Sequence, residues 1–232
     1  MTLGKKFDLI EALISKAKDN LECLSGREDS QALYLKALYV RGIELAESSI
    51  WALKEHKYSV ASILLRSLLE VYVDFANLVL DKKYFLSIEA GHLGIMIKRY
   101  EAMIRASNGE DLQATENLEK CRKRMKLIRE NGGRELNIFQ RFKKIDHEQV
   151  YREIYSILSD EVHGSYESIQ RRHIGFDSAY QGFYVAHSLK SEAYKGLVLS
   201  RVAKSLTTMS MGVHVAYKTK HVSQFKEIRD KI

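Results

Sequence analysis

Apolar residues recur along most of this chain at alternating steps of three and four, the spacing that lines one face of an α-helix. Leu3, Phe7, Ile10, Ile14, Ala17, Leu21 and Leu24 form the first such face, and Gly26 is placed to stop it. After Asp29 and Ser30, both good N-cap residues, the pattern predicts a second helix to about Lys57, and a third from Ser59 to Asp81. A fourth runs from Phe85 to Ser107 before Asn108-Gly109, and a fifth from Asp111 to Glu130 before Asn131-Gly132-Gly133. A short element over Arg134 to Phe142 leads into a seventh helix, Asp146 to Val162, with Val150, Ile154, Ile157 and Leu158 as its apolar side and Gly164 closing it. From Ser165 to Tyr184 no period is sustained, and Gly164, Gly175 and Gly182 mark an irregular loop, in which Arg171-Arg172-His173 reads as surface. A last long helix is predicted over Leu189 to Tyr217, with a short amphipathic tail to Ile232.

The reading is therefore all-α, a multi-helix bundle with long helices. Composition strengthens it: there is no proline in 232 residues, where average usage predicts roughly a dozen, and proline is the residue that breaks helix interiors. With 45% hydrophobic residues, no repeat of 20 to 50 residues and no Pro/Ser-rich linker, residues 1–232 are expected to form a single domain. Cys23 and Cys121 show neither a disulfide framework nor C-x-x-C spacing, which suits a reducing cytoplasm. The N-terminal stretch reaches Asp8 and Glu11 without an apolar run, so no signal peptide is expected; Arg66, Glu70 and Asp74 interrupt the most apolar stretch, Val60 to Leu80, so neither is a membrane span.

The charge is localised. Lys120, Arg122, Lys123, Arg124, Lys126, Arg129, Arg134, Arg141, Lys143 and Lys144 face only two acids, Glu130 and Glu135, within one segment, while the chain as a whole is +7 and the remainder is close to neutral. Such a segment can neutralise phosphates, or it can be a solvated helix face. Phe139 and Phe142 are its only aromatic residues, too few for base stacking along a single strand.

Two polar groupings sit on apolar helices. In the third helix, Ser59, Ser62, Arg66, Glu70, Asp74 and Asn77 fall within about 120° of arc at 100° per residue. That stripe is either a solvent strip or the lining of a cleft in which Arg66 binds an anion and Glu70 orients it. At the end of the seventh helix, Ser159 and His163 are i,i+4 neighbours, and the negative end of the helix dipole favours a protonated imidazole there. The alternative for His163 is simple capping of carbonyls.

These residues carry a resemblance. Arg66-Ser67-Leu68-Leu69-Glu70, together with Tyr155-x-x-Leu158-Ser159-x-x-Val162-His163-Gly164-Ser165, resembles an uncharacterised bacterial all-helical domain family, over Ala32 to Gly182. The resemblance implies that Arg66, Glu70, Ser159 and His163 converge in space. More remotely the chain is similar to the HEPN superfamily, many of whose members are metal-independent ribonucleases of toxin and phage-defence systems. Their mark, Arg followed after four to six residues by His, occurs here at Arg141 and His147, no more often than chance supplies in a chain with 8 histidines. His163 has no such arginine, so its partner would have to be Arg66.

Two functions follow. In the first, RNA lies on Lys120, Arg122, Lys123, Arg124, Lys126, Arg129, Arg141, Lys143 and Lys144; His163 moves a proton, Arg66 stabilises the phosphorane, and Glu70 and Ser159 position them, without a cofactor or metal. In the second, the chain is a non-catalytic interaction module, a homodimer or a dock for an acidic partner protein, and its polar pairs only set packing. A carboxylate-bridged metal site from Glu89-x-x-His92 and Asp160-x-x-His163 is disfavoured by the glycines beside His92 and by Asp in place of Glu.

Overall fold

The computed structural model describes residues 1–26, 29–186 and 192–231. Helix α3 (Tyr58–Leu80) is the centre of the bundle, because it is apolar over most of its circumference and has neighbours on several sides. Its Leu65, Leu68, Val73 and Leu78 are fully buried between α2 (Ser30–Lys54) and α10 (Glu192–Ala216). Helix α1 (Leu3–Asp19) lies across α2 and α10, and α11 (Val222–Arg229) packs on α10 through the fully buried Phe225. Asp29 caps α2 by accepting from the Ala32 N–H at 2.9 Å. No helix among the described residues is long and apolar enough to cross a membrane.

Helices α4 (Tyr84–Ala106) and α5 (Leu112–Glu130) form a hairpin that packs chiefly against itself. It carries a small apolar cluster of its own, Ala90, Met125 and Ile128, separate from the main core. Helix α6 (Ile138–Lys144) returns the chain to α3; its start is fixed by a capping box between Asn137 and Gln140, which moves the element several residues beyond the expected Arg134.

The next stretch is helical throughout but not uniform: α7 (Glu148–Val150) passes into a π-helical turn, Tyr151–Tyr155, and then into α8 (Ser156–His163). A π turn closes on i→i+5 bonds and so shifts the phase of everything after it. Ile157, expected on the apolar side, is consequently exposed, while Tyr155 is 4% exposed and faces α3. Gly164 ends α8 in the left-handed region at φ 62°, where a glycine costs little.

The expected irregular loop is ordered instead. Ser165 caps α9 (Tyr166–His173) by accepting from the Ser168 N–H, and the chain then forms an antiparallel hairpin of β1 (Ile174–Asp177) and β2 (Gly182–Val185). Short elements of eight and four residues leave too little pattern for a periodicity reading. Helix α1 also ends earlier than expected: Asn20 closes it, and Leu21 and Leu24 reach the core from successive turns. Leu189, the predicted start of the last helix, lies outside the described residues.

Candidate functional site

The polar stripe of α3 is neither a solvent strip nor an open cleft. Each of its six residues is matched by a group from the segment between α6 and α9. Starting at the N-terminal end, Arg172 donates to Ser59 Oγ at 2.6 Å, and Ser62 donates to Glu161 Oε2 at 2.6 Å. Arg66 Nε donates to the Tyr155 hydroxyl at 3.2 Å, and that hydroxyl donates to Glu70 Oε1 at 2.6 Å. Arg141 pairs with Asp74 at 3.0 Å, and Asn77 donates to the Arg141 carbonyl at 2.9 Å. The ascending order on α3 meets a descending order on the partner segment, so the two run antiparallel.

Three nodes of this seam differ in their electrostatics. Arg66 and Glu70 are a 3.3 Å i,i+4 pair bridged by Tyr155, whose ring also lies under the guanidinium. Burial, and then its bond to Glu70, pushes the Tyr155 hydroxyl up to about 12, so it stays a donor. Asp74 is the most enclosed acid of the middle seam: burial raises its carboxyl above the ordinary value, while Arg141 and the Tyr84 hydroxyl at 2.5 Å pull the other way. At the far node Glu161 and Arg172 pair at 3.1 Å with side chains only 6% and 13% exposed, and Tyr194 of α10 closes on Ser62. Arg172, expected at the surface, is thus an interior residue, because Glu161 and Ser59 supply the acceptors it needs.

The four residues expected to converge separate into two places. Arg66 and Glu70 meet at Tyr155. His163 is exposed at the C-terminus of α8, and no hydrogen bond or ion pair joins its side chain to another described residue. Because Glu161 is level with Ser62, His163 and Glu70 lie towards opposite ends of the seam, about 15 Å apart along the helix axes at 1.5 Å per residue. Ser159 is half-buried on α8 between them.

The basic segment is largely spoken for. Lys120 pairs with Glu116, Arg122 with Glu101, Arg124 with Glu89, and Arg129 with Glu135. Arg141, Lys143 and Lys144 take Asp74, Glu148 and Asp81. Lys123, Lys126 and Arg134 have no carboxylate partner among the described residues. The groove of about 740 Å³ between α4 and α5 alternates charge accordingly, with Lys98, Arg122, Lys126 and Arg129 facing Glu101, Glu130 and Glu135. Glu89, one candidate metal ligand, is held by both arms of the Arg124 fork, and among the described residues no three ligating side chains cluster.

Tyr155, Glu161 and Arg172 were not singled out by sequence, although an i,i+4 tyrosine pair, Tyr151 and Tyr155, marks the π turn where one of them sits; their rings stack at 5.4 Å. No characterised protein and no solved structure matches this chain. A family model does match, over residues 32–181, from the start of α2 to the turn of the β-hairpin and across both halves of the seam. The chain belongs to the family of unknown function DUF5677.

Proposed function

We propose that this chain is a non-catalytic helical interaction module that pairs with a second copy of itself through the β1–β2 hairpin. The observation that carries the reading is the hairpin's outer face. The register sets Ile174 opposite Val185 and Phe176 opposite Phe183, so these four side chains share one face of the ribbon. They are 37%, 83%, 57% and 77% exposed, and Tyr180 at the turn is 86% exposed. With about 200 Å² per aromatic side chain, the exposed part is on the order of 700 Å², near the ~800 Å² that each partner gives to a standard interface. The other face is closed by Tyr184 lying across Gly175, where no side chain is in the way.

A second copy fits this face better than an acidic or nucleic-acid partner does. The strands carry one charge, Asp177, so there is nothing to complement a charged surface, and an identical apolar face is self-complementary about a two-fold axis. The seam supports the same reading, since Arg66 and Glu70 are engaged in docking α8 onto α3. Sedimentation of the full chain at tens of micromolar is expected to give a dimer. Phe176→Asp/Phe183→Asp is expected to give a monomer with an unchanged melting temperature. A wild-type monomer, or a dimer indifferent to both substitutions, overturns the reading. Arg66→Ala is expected to cost about 1–2 kcal/mol of stability by removing a charge-assisted bond to a half-buried acceptor, without changing the oligomeric state.

A ribonuclease of the HEPN-like, toxin or phage-defence kind is the second reading, favoured by the accessible and unpartnered imidazole of His163. It expects chelator-insensitive cleavage of total cellular RNA by the wild type, lost in His163→Ala. Equal inertness of the two proteins removes it.

A further inference from the structure

A cleft on the opposite flank of α3 collects cations that the fold leaves unpaired. It lies between α3, the start of α7, α10 and α11, and consists of two hollows that share Tyr72, His147 and Thr208. The larger, about 370 Å³, is lined on its polar side by Arg201, Lys204, Ser205, Thr208 and Arg229. The first four stand at i, i+3, i+4 and i+7 on α10 and therefore share one helix face. The smaller, about 230 Å³, is apolar, with Phe75, Ala76, Val79 and Ile145 in its wall. The Tyr72 and His147 rings stack at 5.8 Å and 18° where the two hollows join.

No acid lines either hollow. Arg229 has Asp230 beside it at 3.1 Å, and Asp146 adjoins His147, but Arg201 and Lys204 have no carboxylate partner among the described residues. This is unlike the basic segment, where most cations hold an acid. Two uncompensated cations one helical turn apart repel each other, and an anion between them removes that cost. Serine and threonine hydroxyls beside a guanidinium and an ammonium are donors suited to phosphoryl oxygens. A neutral apolar hollow behind a stacked aromatic pair suits a compact ring.

We infer that this cleft binds a small phosphate monoester carrying an aromatic or compact apolar group, with the phosphate at Arg201, Lys204 and Thr208 and the ring beyond Tyr72 and His147. The volume lies at the lower end of the ~300–1,000 Å³ typical of small-molecule pockets, which excludes an extended polymer from its interior. His147 and Tyr72 fall within the residues matched to the family, whereas Arg201, Lys204 and Arg229 lie beyond them.

The test is calorimetric titration of the full chain with phenyl phosphate, inorganic phosphate and benzyl alcohol. Phenyl phosphate is expected to saturate one site and to bind on the order of tenfold more tightly than inorganic phosphate, with no saturation by benzyl alcohol. Arg201→Ala/Lys204→Ala is expected to weaken phenyl phosphate by tenfold or more while leaving the circular dichroism and the melt unchanged. Val79→Asp, in the apolar hollow, is expected to abolish the advantage of phenyl over inorganic phosphate. No saturable phenyl phosphate binding, binding unchanged in the double variant, or binding only of a single-stranded oligonucleotide overturns the assignment. None of these outcomes depends on whether the chain is a dimer.

Discussion

Seven of the ten cations between Lys120 and Lys144 hold a carboxylate of this same chain, whereas Arg201 and Lys204 on α10 hold none among the described residues. The first group is conspicuous in sequence and nearly neutral in space; the second is inconspicuous in sequence and concentrated in space. A run of lysines and arginines reports where charge is placed along a chain, but a ligand responds to the charge left after the fold has paired it. By that measure the larger groove between α4 and α5 is a poor anion site and the smaller cleft beside α10 a good one.

The comparison can be broken by mutation, beginning with the most enclosed pair. Asp74→Ala leaves the Arg141 guanidinium half-buried without its acid and the Tyr84 hydroxyl without an acceptor. Removing one partner of a buried pair costs about 3–5 kcal/mol, and the partial exposure of Arg141 lowers the expectation to about 2–3 kcal/mol in urea unfolding. A loss below about 0.5 kcal/mol would mean that this cation is not committed to the fold.

Next comes a test of the helix that carries the cleft. His214 of α10 is buried, stacks on Phe225 at 5.2 Å, and bonds Thr219 Oγ1 through Nδ1 at 2.7 Å. Burial, with a smaller contribution from His221, pushes its imidazole down to about 4, below the value of about 6.5 in an unfolded chain. The unfolded state therefore binds the proton more readily. The stability His214 confers is complete above pH about 6.5 and is lost as the pH falls towards 4, by an amount on the order of 2 kcal/mol. Unfolding midpoints measured across that window are expected to fall with acid, and to fall less in His214→Gln. An equal acid dependence in the two proteins removes His214 as the cause.

Smaller effects sharpen the contrast. Arg124→Ala deletes an exposed bidentate pair with Glu89 and is expected to cost about 0.5–1 kcal/mol at low salt, shrinking as salt is added. Lys204→Ala deletes a cation with no partner, so its thermal melt is expected to stay within about 0.5 kcal/mol of the wild type, with any shift towards higher stability. If Lys204→Ala destabilised more than Arg124→Ala, the division between committed and available cations would fail.

Much of the architecture was legible because its signals are local. Asn108-Gly109 and Asn131-Gly132-Gly133 stop α4 and α5 within a residue or two of the expected ends, and Asp29-Ser30 starts α2 where a cap was expected. The stripe from Ser59 to Asn77 was also visible. What occupies it was not, since the matching groups come from Arg141 to Arg172, and no period relates the two. The cleft is harder still: Tyr72, His147, Arg201 and Arg229 are separated by dozens of residues and share only their final position. Ser165 to Tyr184 was misread for another reason, because two four-residue strands and a two-turn helix are shorter than the window in which a period can be seen.

The π turn at Tyr151–Tyr155 makes the second half of its helix sensitive to chain length. It acts as a fixed gear offset between the residues that precede it and those that follow, and the offset is what aims Tyr155 at Arg66 and Glu70. Deleting one residue from the turn would restore an ordinary helix and rotate α8 by about 100° against α3, uncoupling Glu161 from Ser62 along with Tyr155 from its pair. Lineages or engineered variants that shorten this stretch by a single position must therefore rebuild the whole seam, while those that add or remove residues at the tip of the α4–α5 hairpin need rebuild nothing.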